Sequence, residues 1–454
     1  MALTILDSTV YGGLWASGEL APLFDESRRT RDWLEILAVL AEVEGEYGLI
    51  PVEAAHAVAG VCRAMVVDGA FLDELRHGRE ASGHSTAGLL RAIAARCPGS
   101  AGEWVYFGAT VQDVADTAMM LALREARQSF AAQLAGVDSA LTELAARHRD
   151  TLMLGRTHGQ AGLPITFGFK VVGWGVEVRR HIQRLDEMGQ RLGVAQLAGG
   201  VGSLSALGPH ALEIQARFCE RLGLAVPKSS WTSSRDVLAE WGGMLTLICG
   251  TADRIGHEVY NLQRSEIGEL EEGPFAGVIG SITMPHKRNP EISEHLGTLA
   301  RVVRHQAACL YEGLVHDHER DGRSWKAEWH LVPEITLIAG RAVELLAVML
   351  RTLVVHPERM FRNIDATQGM VLSEALMLAL AARIGRETAH GLVFAAAETA
   401  RSQGWPLERS VRMNPEIVAA LSETELRVIF DYRCHTGQCG ALVDRFVTKA
   451  GSAP

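Results

Sequence analysis

Between Gly277 and Glu294 the chain concentrates groups able to bind and transform an anion. They are Gly277 and Gly280, the Ser281 hydroxyl, Met284 ahead of a turn fixed at Pro285, the Lys287 ammonium, the Asn289 carboxamide and the Glu294 carboxylate. Glycine-rich backbone leading into a helix can aim N–H groups at an anion, and Lys287 and Asn289 add charge and donors beside them. The stretch reads as a loop that closes over a carboxylated small molecule. A second polar set, Thr110-Val111-Gln112-Asp113, stands at the mouth of a long helix. A helix start there would receive a carboxylate, and plain N-capping by Thr110 and Asp113 accounts for the same residues equally well. A third, Gly155-Arg156-Thr157-His158-Gly159-Gln160, reads as a loop between two long helices, the usual mounting for chemistry on a rigid scaffold. His84 and Ser85 lie in a polar island, Ser82 to Thr86, that suits either a helix cap or a substrate contact. The run His318-Glu319-Arg320-Asp321-Gly322-Arg323-Ser324-Trp325-Lys326-Ala327-Glu328-Trp329 has charges that a solvated face explains and paired tryptophans that it does not.

Loops so far apart in sequence need long elements to position them. From Asp32 onward, Trp33, Ile36, Leu37, Leu40, Val43 and Tyr47 recur at helical spacing, and Gly48 and Pro51 end the run. A helical run is expected from about Arg127 to Arg149. Trp241, Met244, Leu245, Ile248, Ala252, Ile255, Val259 and Leu262 then hold a helical period over about 22 residues, or about 33 Å. An apolar stripe of that length belongs in a helix-bundle core, often one shared between subunits. A further long helix is expected from Glu291 to about Tyr311. No segment longer than a few residues reads as a strand, so the expected class is all-α. The punctuation at Cys97-Pro98-Gly99 and at His356-Pro357 suggests helical domains over 1–100, 101–355 and 356–454.

The 454 residues suffice for two or three domains, and 48% hydrophobic with 22% charged is globular composition. A net charge of −10 argues against a nucleic-acid or anionic-membrane partner but leaves small anionic substrates open. The seven cysteines are scattered, odd in number and mostly within apolar runs, which fits free thiols in a reducing compartment. Cys434, His435 and Cys439 are close enough to suggest a metal site, but two thiols and one imidazole make a weak signal, and no metal or cofactor is expected. No apolar run approaches the roughly 18 residues that a bilayer span requires. The first residues lack a secretory pattern, so the expected location is cytoplasmic.

The register Gly280-Ser281-x-x-Met284-Pro285-x-Lys287-x-Asn289, with Glu294 closing it, resembles the signature of the aspartase/fumarase superfamily of lyases, with Ile282 where a second serine stands. Gly108-Ala109-Thr110-Val111-x-Asp113-x-x-Asp116-Thr117 is similar to its first motif, with Val111 replacing a serine, and Gly155-Arg156-Thr157-His158-x-Gln160 to its second. The resemblance extends over nearly the whole chain and is greatest to the adenylosuccinate lyase and carboxymuconate cycloisomerase branch. It implies three helical domains around a long-helix bundle, a homotetramer with active sites shared by three subunits, and a small dicarboxylate substrate.

It also implies roles. Ser281 is the base that removes a proton beside a carboxylate, and Lys287, Asn289, Thr157 and Thr110 stabilise the aci-carboxylate that results. His158, oriented by Glu294, protonates or orients the leaving group. Val111, Gln112, Met284, His84, Ser85, Arg235 and Arg320 complete the substrate contacts. Carboxymuconate cycloisomerases share the His318 to Trp329 pattern but typically carry tryptophan in place of the histidine and lack the glutamate. Retention of His158 and Glu294 favours a fumarate-releasing carbon–nitrogen lyase, nitrosuccinate lyase being one such enzyme. A cycloisomerase is the alternative. Adenylosuccinate lyase is disfavoured because Ser8 to Gly12 lacks an arginine-tyrosine pair and no doubled serine follows Arg320. A catalytically idle oligomeric binding protein is a further alternative.

Overall fold

A computed structural model describes residues 4–273 and 281–449. Among these the chain is all-α, with nineteen α-helices and only short two-stranded pairings. Five helices dominate: α1 (Val111–Arg147), α2 (Phe167–Leu192), α3 (Asp236–Gln263), α4 (Glu291–Glu312) and α5 (Gly322–Thr352). The stripe from Trp241 to Leu262 lies on α3, and α4 spans the expected stretch. The helix expected from Arg127 starts sixteen residues earlier, at Val111, so the second polar set caps the same 37-residue helix whose far end reaches the hairpin described next.

The Gly155 to Pro164 segment is not the strand-free loop expected. It forms an antiparallel hairpin, β1 (Leu152–Thr157) and β2 (Gln160–Thr166), closed by the two residues His158 and Gly159 at φ +53° and +72°. Positive φ at both central residues is the backbone that a two-residue hairpin turn demands. The register shifts between Leu154 and Arg156, and a Cβ on Gly155 would lie 2.7 Å from the Leu163 carbonyl oxygen, so a glycine is required there.

The chain divides into two compact units, each described by itself. The first comprises Met1–Leu134, His181–Gly250 and Thr298–Glu344. Its core gathers around helix Glu26–Glu46, whose start is capped by the Asp25 carboxylate accepting from the Ser27 and Arg28 N–H groups at 2.9 and 3.2 Å. Trp33, Leu37, Leu40 and Val43 pack there with Val114, Ala118, Phe218 and Trp325. Deeper in the unit, Phe130 of α1 meets Trp241 of α3 edge to face, and the Trp241 indole N–H donates to Thr336 of α5 at 2.9 Å.

The second unit comprises Ala135–Arg180, Thr251–Gly297 and Leu345–Pro454. Lys170 on α2 pairs with Glu258 on α3 at 2.6 Å, and Arg179 joins Asp138 of α1 to the ring of Phe446. A separate apolar core, with Leu376, Leu380, Val393, Leu407, Val411 and Ile417 at its centre, holds the helices between Ser373 and Ile429 together. No single helix among the described residues is long and apolar enough to cross a membrane. At Cys434-His435, the His435 Nε2 is 2.9 Å from the Ile429 carbonyl oxygen, so that ring nitrogen is used by the backbone.

Candidate active site

The first locus is the start of α1, in the first unit. The Thr110 N–H donates to Asp113 Oδ2 at 2.9 Å, and Asp113 also accepts the N–H groups of Ala198 and Gly199 at 2.9 and 3.0 Å. Burial pushes the Asp113 carboxyl up to about 6, against the opposing pull of these N–H donors. Its two oxygens accept all three N–H groups, which favours the ionised form. The Thr110 hydroxyl oxygen accepts from Arg320 Nη1 at 3.0 Å, and Arg320 Nη2 donates to the Gly200 carbonyl at 3.1 Å. A guanidinium, a hydroxyl and the start of a long helix therefore meet at one point, which suits a carboxylate.

Val111, where the superfamily motif has a serine, is buried and contributes no side-chain donor. Gln112 is fully buried; its Nε2 donates to the Thr232 carbonyl at 2.9 Å, and its Oε1 has no partner among the described residues. Arg235, expected to contact substrate, is instead committed to structure. It is buried, donating to Asp116 at 2.7 and 3.1 Å and to Glu328 at 2.9 Å, and it lies over the Trp231 ring. The Trp325 indole N–H donates to Asp116 at 3.0 Å, which gives the tryptophan-rich run its physical reason: it walls off a buried ion-pair cluster. His84 and Ser85 are exposed just ahead of helix Ala87–Arg96, where His84 Nδ1 lies 3.3 Å from the Thr86 N–H in a cap-like contact.

The second locus belongs to the second unit. A cleft of about 590 Å³ is lined by Lys287, Asn289 and Glu294, together with Arg264, His286 and His356. Next to the cleft residue Glu271, the Glu272 carboxylate caps α4, accepting the N–H groups of Ile292 and Ser293 at 3.0 and 2.7 Å and the Ser293 hydroxyl at 2.6 Å. Gln263 at the end of α3 clamps both sides, accepting the Glu272 N–H at 2.8 Å and donating to the Arg288 carbonyl at 3.1 Å. Glu271 binds Arg288 and lies 3.5 Å from His356 Nε2. These contacts hold the chain at Arg288, between Lys287 and Asn289, and at Ile292 and Ser293 beyond them.

Ser281 is half-buried, and its hydroxyl oxygen accepts the Met284 N–H at 3.0 Å. Met284 is partly exposed and Ile282 almost fully so. Gly277 and Gly280 lie outside the described residues. Thr157 ends β1 and His158 occupies the exposed hairpin tip; neither lines the cleft that Glu294 borders. The hairpin itself is anchored. Arg156 donates to the fully buried Glu269 carboxylate at 2.5 and 2.9 Å, and Asn363 Nδ2 donates to the same carboxylate at 2.7 Å. Sequence reasoning passed over Glu269 and Glu272, and nothing in an acidic run such as Glu269-Leu270-Glu271-Glu272 distinguishes an anchor from a solvated face.

Each unit thus carries one locus with groups that suit an anion: Thr110 and Arg320 at the start of α1 in the first, and the cleft with Lys287, Asn289 and Arg264 in the second. A lyase family profile matches residues 17–304, and an adenylosuccinate lyase C-terminus profile matches residues 369–446. The chain is 35% identical to an N-acetyl-S-(2-succino)cysteine lyase of Dickeya dadantii, over 99% of this chain and 98% of that one. It is also 35% identical to an adenylosuccinate lyase of Methanothermobacter thermautotrophicus, over 96% and 97%. The crystal structure of a 3-carboxy-cis,cis-muconate lactonizing enzyme from Pseudomonas putida superposes with a TM-score of 0.90 at 32% identity, covering 98% of this chain and 99% of that one. The chain belongs to the aspartase/fumarase superfamily of lyases, in the branch that holds adenylosuccinate lyase and carboxymuconate cycloisomerase.

Proposed function

We propose that this enzyme eliminates a heteroatom-linked group from a substituted succinate and releases fumarate. The observation that carries the reading is the cleft lined by Lys287, Asn289 and Glu294, the first two on the same loop as Ser281, whose oxygen accepts the Met284 N–H. Ser281 removes the proton on the carbon next to a carboxylate. The electron pair that remains gives a doubly charged aci-carboxylate, and Lys287, Asn289, Thr157 and Thr110 supply the fixed cation and donors that lower its energy. The pair then forms the fumarate double bond as the bond from the adjacent carbon to the heteroatom breaks. A serine alkoxide is accessible only where donors stabilise it, which is the work of the Met284 N–H and nearby Lys287.

The leaving group is a thiol, an amine or, from nitrosuccinate, nitrite. The relative named for a 2-succino cysteine thioether supports carbon–sulfur cleavage. The presence of both His158 and Glu294 in the sequence supports carbon–nitrogen cleavage of an amine-linked succinate such as adenylosuccinate, because an amine must be protonated to leave, whereas nitrosuccinate would release nitrite as a stable anion. A second reading, lactone formation by a carboxymuconate cycloisomerase, is supported by the His318 to Trp329 run and by the superposed lactonizing enzyme.

Purified protein incubated separately with S-(2-succino)cysteine, its N-acetyl form, nitrosuccinate, adenylosuccinate and carboxymuconate, with chromatography for fumarate and lactone, decides among these. Fumarate from one substrate, lost in Ser281→Ala, is expected. Lactone alone establishes the cycloisomerase reading. Calorimetric binding of a dicarboxylate without turnover of any substrate marks an idle binding protein.

A further inference from the structure

Glu44 sits in the last turn of helix Glu26–Glu46 and is completely buried. Neither carboxyl oxygen has a hydrogen-bond partner among the described residues. Its surroundings are the apolar core of the first unit, and it faces the loop that delivers Thr110. A Cβ on Gly108 would lie 3.6 Å from Glu44 Oε1, and Gly108 holds φ +73°. The Gly108 carbonyl oxygen in turn lies 3.3 Å from where a Cβ on Gly199 would sit, and the Gly199 N–H is one of the three donors to Asp113. The carboxyl thus packs under the turn that sets the start of α1.

We propose that Glu44 is a positioning residue, a neutral carboxylic acid whose uncharged form keeps the Tyr106 to Thr110 loop seated so that Thr110 and the start of α1 face the substrate carboxylate. The proposal rests on the reading of that helix start as a carboxylate site. An ionised carboxylate without donors or a counter-charge is strongly disfavoured in such a setting, so the group keeps its proton or the loop opens to admit water.

Among the described residues the neighbouring elements offer Glu44 no counter-charge, and Arg320, which reaches the same loop, is engaged by the Thr110 hydroxyl and the Gly200 carbonyl. On helix Val52–Ala64, Glu53 and His56 are exposed and Arg63 is engaged by Glu35 and Glu42, while the Cys62 thiol is itself driven up by burial. Between residues 205 and 222, His210 faces the Tyr47 ring, Glu213 is exposed, Arg217 and Arg221 bind Glu46, Glu220 or Glu42, and burial drives the Cys219 thiol up. In the loop and on α1, burial raises the Tyr106 phenol and Asp113 is held by backbone N–H groups; Asp116 and Glu328 face Arg235. Burial alone pushes the Glu44 carboxyl up to about 9.

The sign of the linkage follows. Between the free carboxyl value near 4.3 and about 9, folded protein keeps a proton that the unfolded chain has released, so stability falls as pH rises through that window and levels off above it. The test is urea unfolding and calorimetric binding of succinate, for the whole protein and for Glu44→Gln, from about pH 6 to pH 9.5. Relative to Glu44→Gln, the folding equilibrium constant of the natural protein is expected to drop about tenfold per pH unit below pH 9. Its succinate affinity is expected to fall at least severalfold more than the variant's between pH 7.5 and 9.5.

Parallel unfolding profiles overturn the assignment of a neutral acid, and parallel binding profiles overturn the positioning role. If Glu44→Gln does not fold, the infrared carbonyl band of a protonated carboxyl in the natural protein decides: its absence at neutral pH refutes the proposal, and its loss on alkalinisation together with succinate binding supports it. Failure of the elimination reading is separately visible, as no fumarate from any succinate while the unfolding profiles still diverge.

Discussion

Ser281 and His158 carry opposite halves of the proposed elimination, and their surroundings differ accordingly. The Ser281 oxygen is half-buried and accepts a backbone N–H, a start on the stabilisation that an alkoxide needs. Ser281→Ala is expected to lower kcat by about 10² to 10⁴ with the circular dichroism spectrum unchanged, the range associated with a positioned proton-transfer group. His158 has a role whose weight depends on what leaves. A thiol has an ordinary pKa of about 8.5 and departs readily as its thiolate, whereas an amine anion does not depart at all without a proton. His158→Ala is therefore expected to depress turnover of an amine-linked succinate, such as adenylosuccinate, far more than that of a sulfur-linked one, measured as kcat on the two substrates. Equal losses on both would assign His158 to orientation of the substrate.

At the scale of elements, the hairpin presents Thr157 and His158 only if its base is fixed, and Glu269 fixes it. This carboxylate is wholly buried and holds Arg156, which is about a quarter exposed, and Asn363 at once. Removing one partner of a buried pair leaves the other uncompensated, and with Arg156 partly solvated Glu269→Ala is expected to cost about 2 to 3 kcal/mol in urea unfolding, toward the low end of such losses. Activity is expected to fall beyond that, because the hairpin tip loses its register. The elements also show what the sequence makes visible. Apolar stripes announce long helices, so α3 and α4 were legible almost to their ends. The hairpin was not, because Leu152 to Thr166 holds three glycines, a proline and few β-branched residues, and its His158-Gly159 turn is a weak signal beside Asn-Gly. Thr110, Arg320, Lys287 and Asn289 stood out as motif residues and lie at the two loci. Arg235 also stood out, yet its partners Asp116 and Glu328 are 119 and 93 residues away in sequence, and no local pattern reports that they consume its donors.

At the scale of the whole molecule, the groups of the proposed mechanism are dispersed over the chain: Thr110 at the start of α1 in one unit, Lys287 and Asn289 in the cleft of the other, and His158 on an exposed hairpin tip that does not line that cleft. Long helices also leave apolar surface open, with Leu247 of α3 and Tyr311 of α4 about half exposed beside a groove that Met188 and Met244 help to line. Helices of such length bury those faces against other helices. We propose a homotetramer in which one subunit's His158 completes a cleft on another, so that neither locus needs its partner residue within the same chain. On an amine-linked succinate, where both variants are expected to be strongly impaired, the two then repair each other. Ser281→Ala and His158→Ala, each purified alone, unfolded in denaturant, mixed and refolded together, are expected to regain fumarate release, because mixed tetramers contain some sites with both groups intact. Each variant refolded alone controls for leakage, and sedimentation confirms the assembly. Activity that stays at the level of the separate variants, in tetramers shown to be mixed, would mean that Ser281 and His158 act from one chain, with the hairpin moving to reach its own cleft.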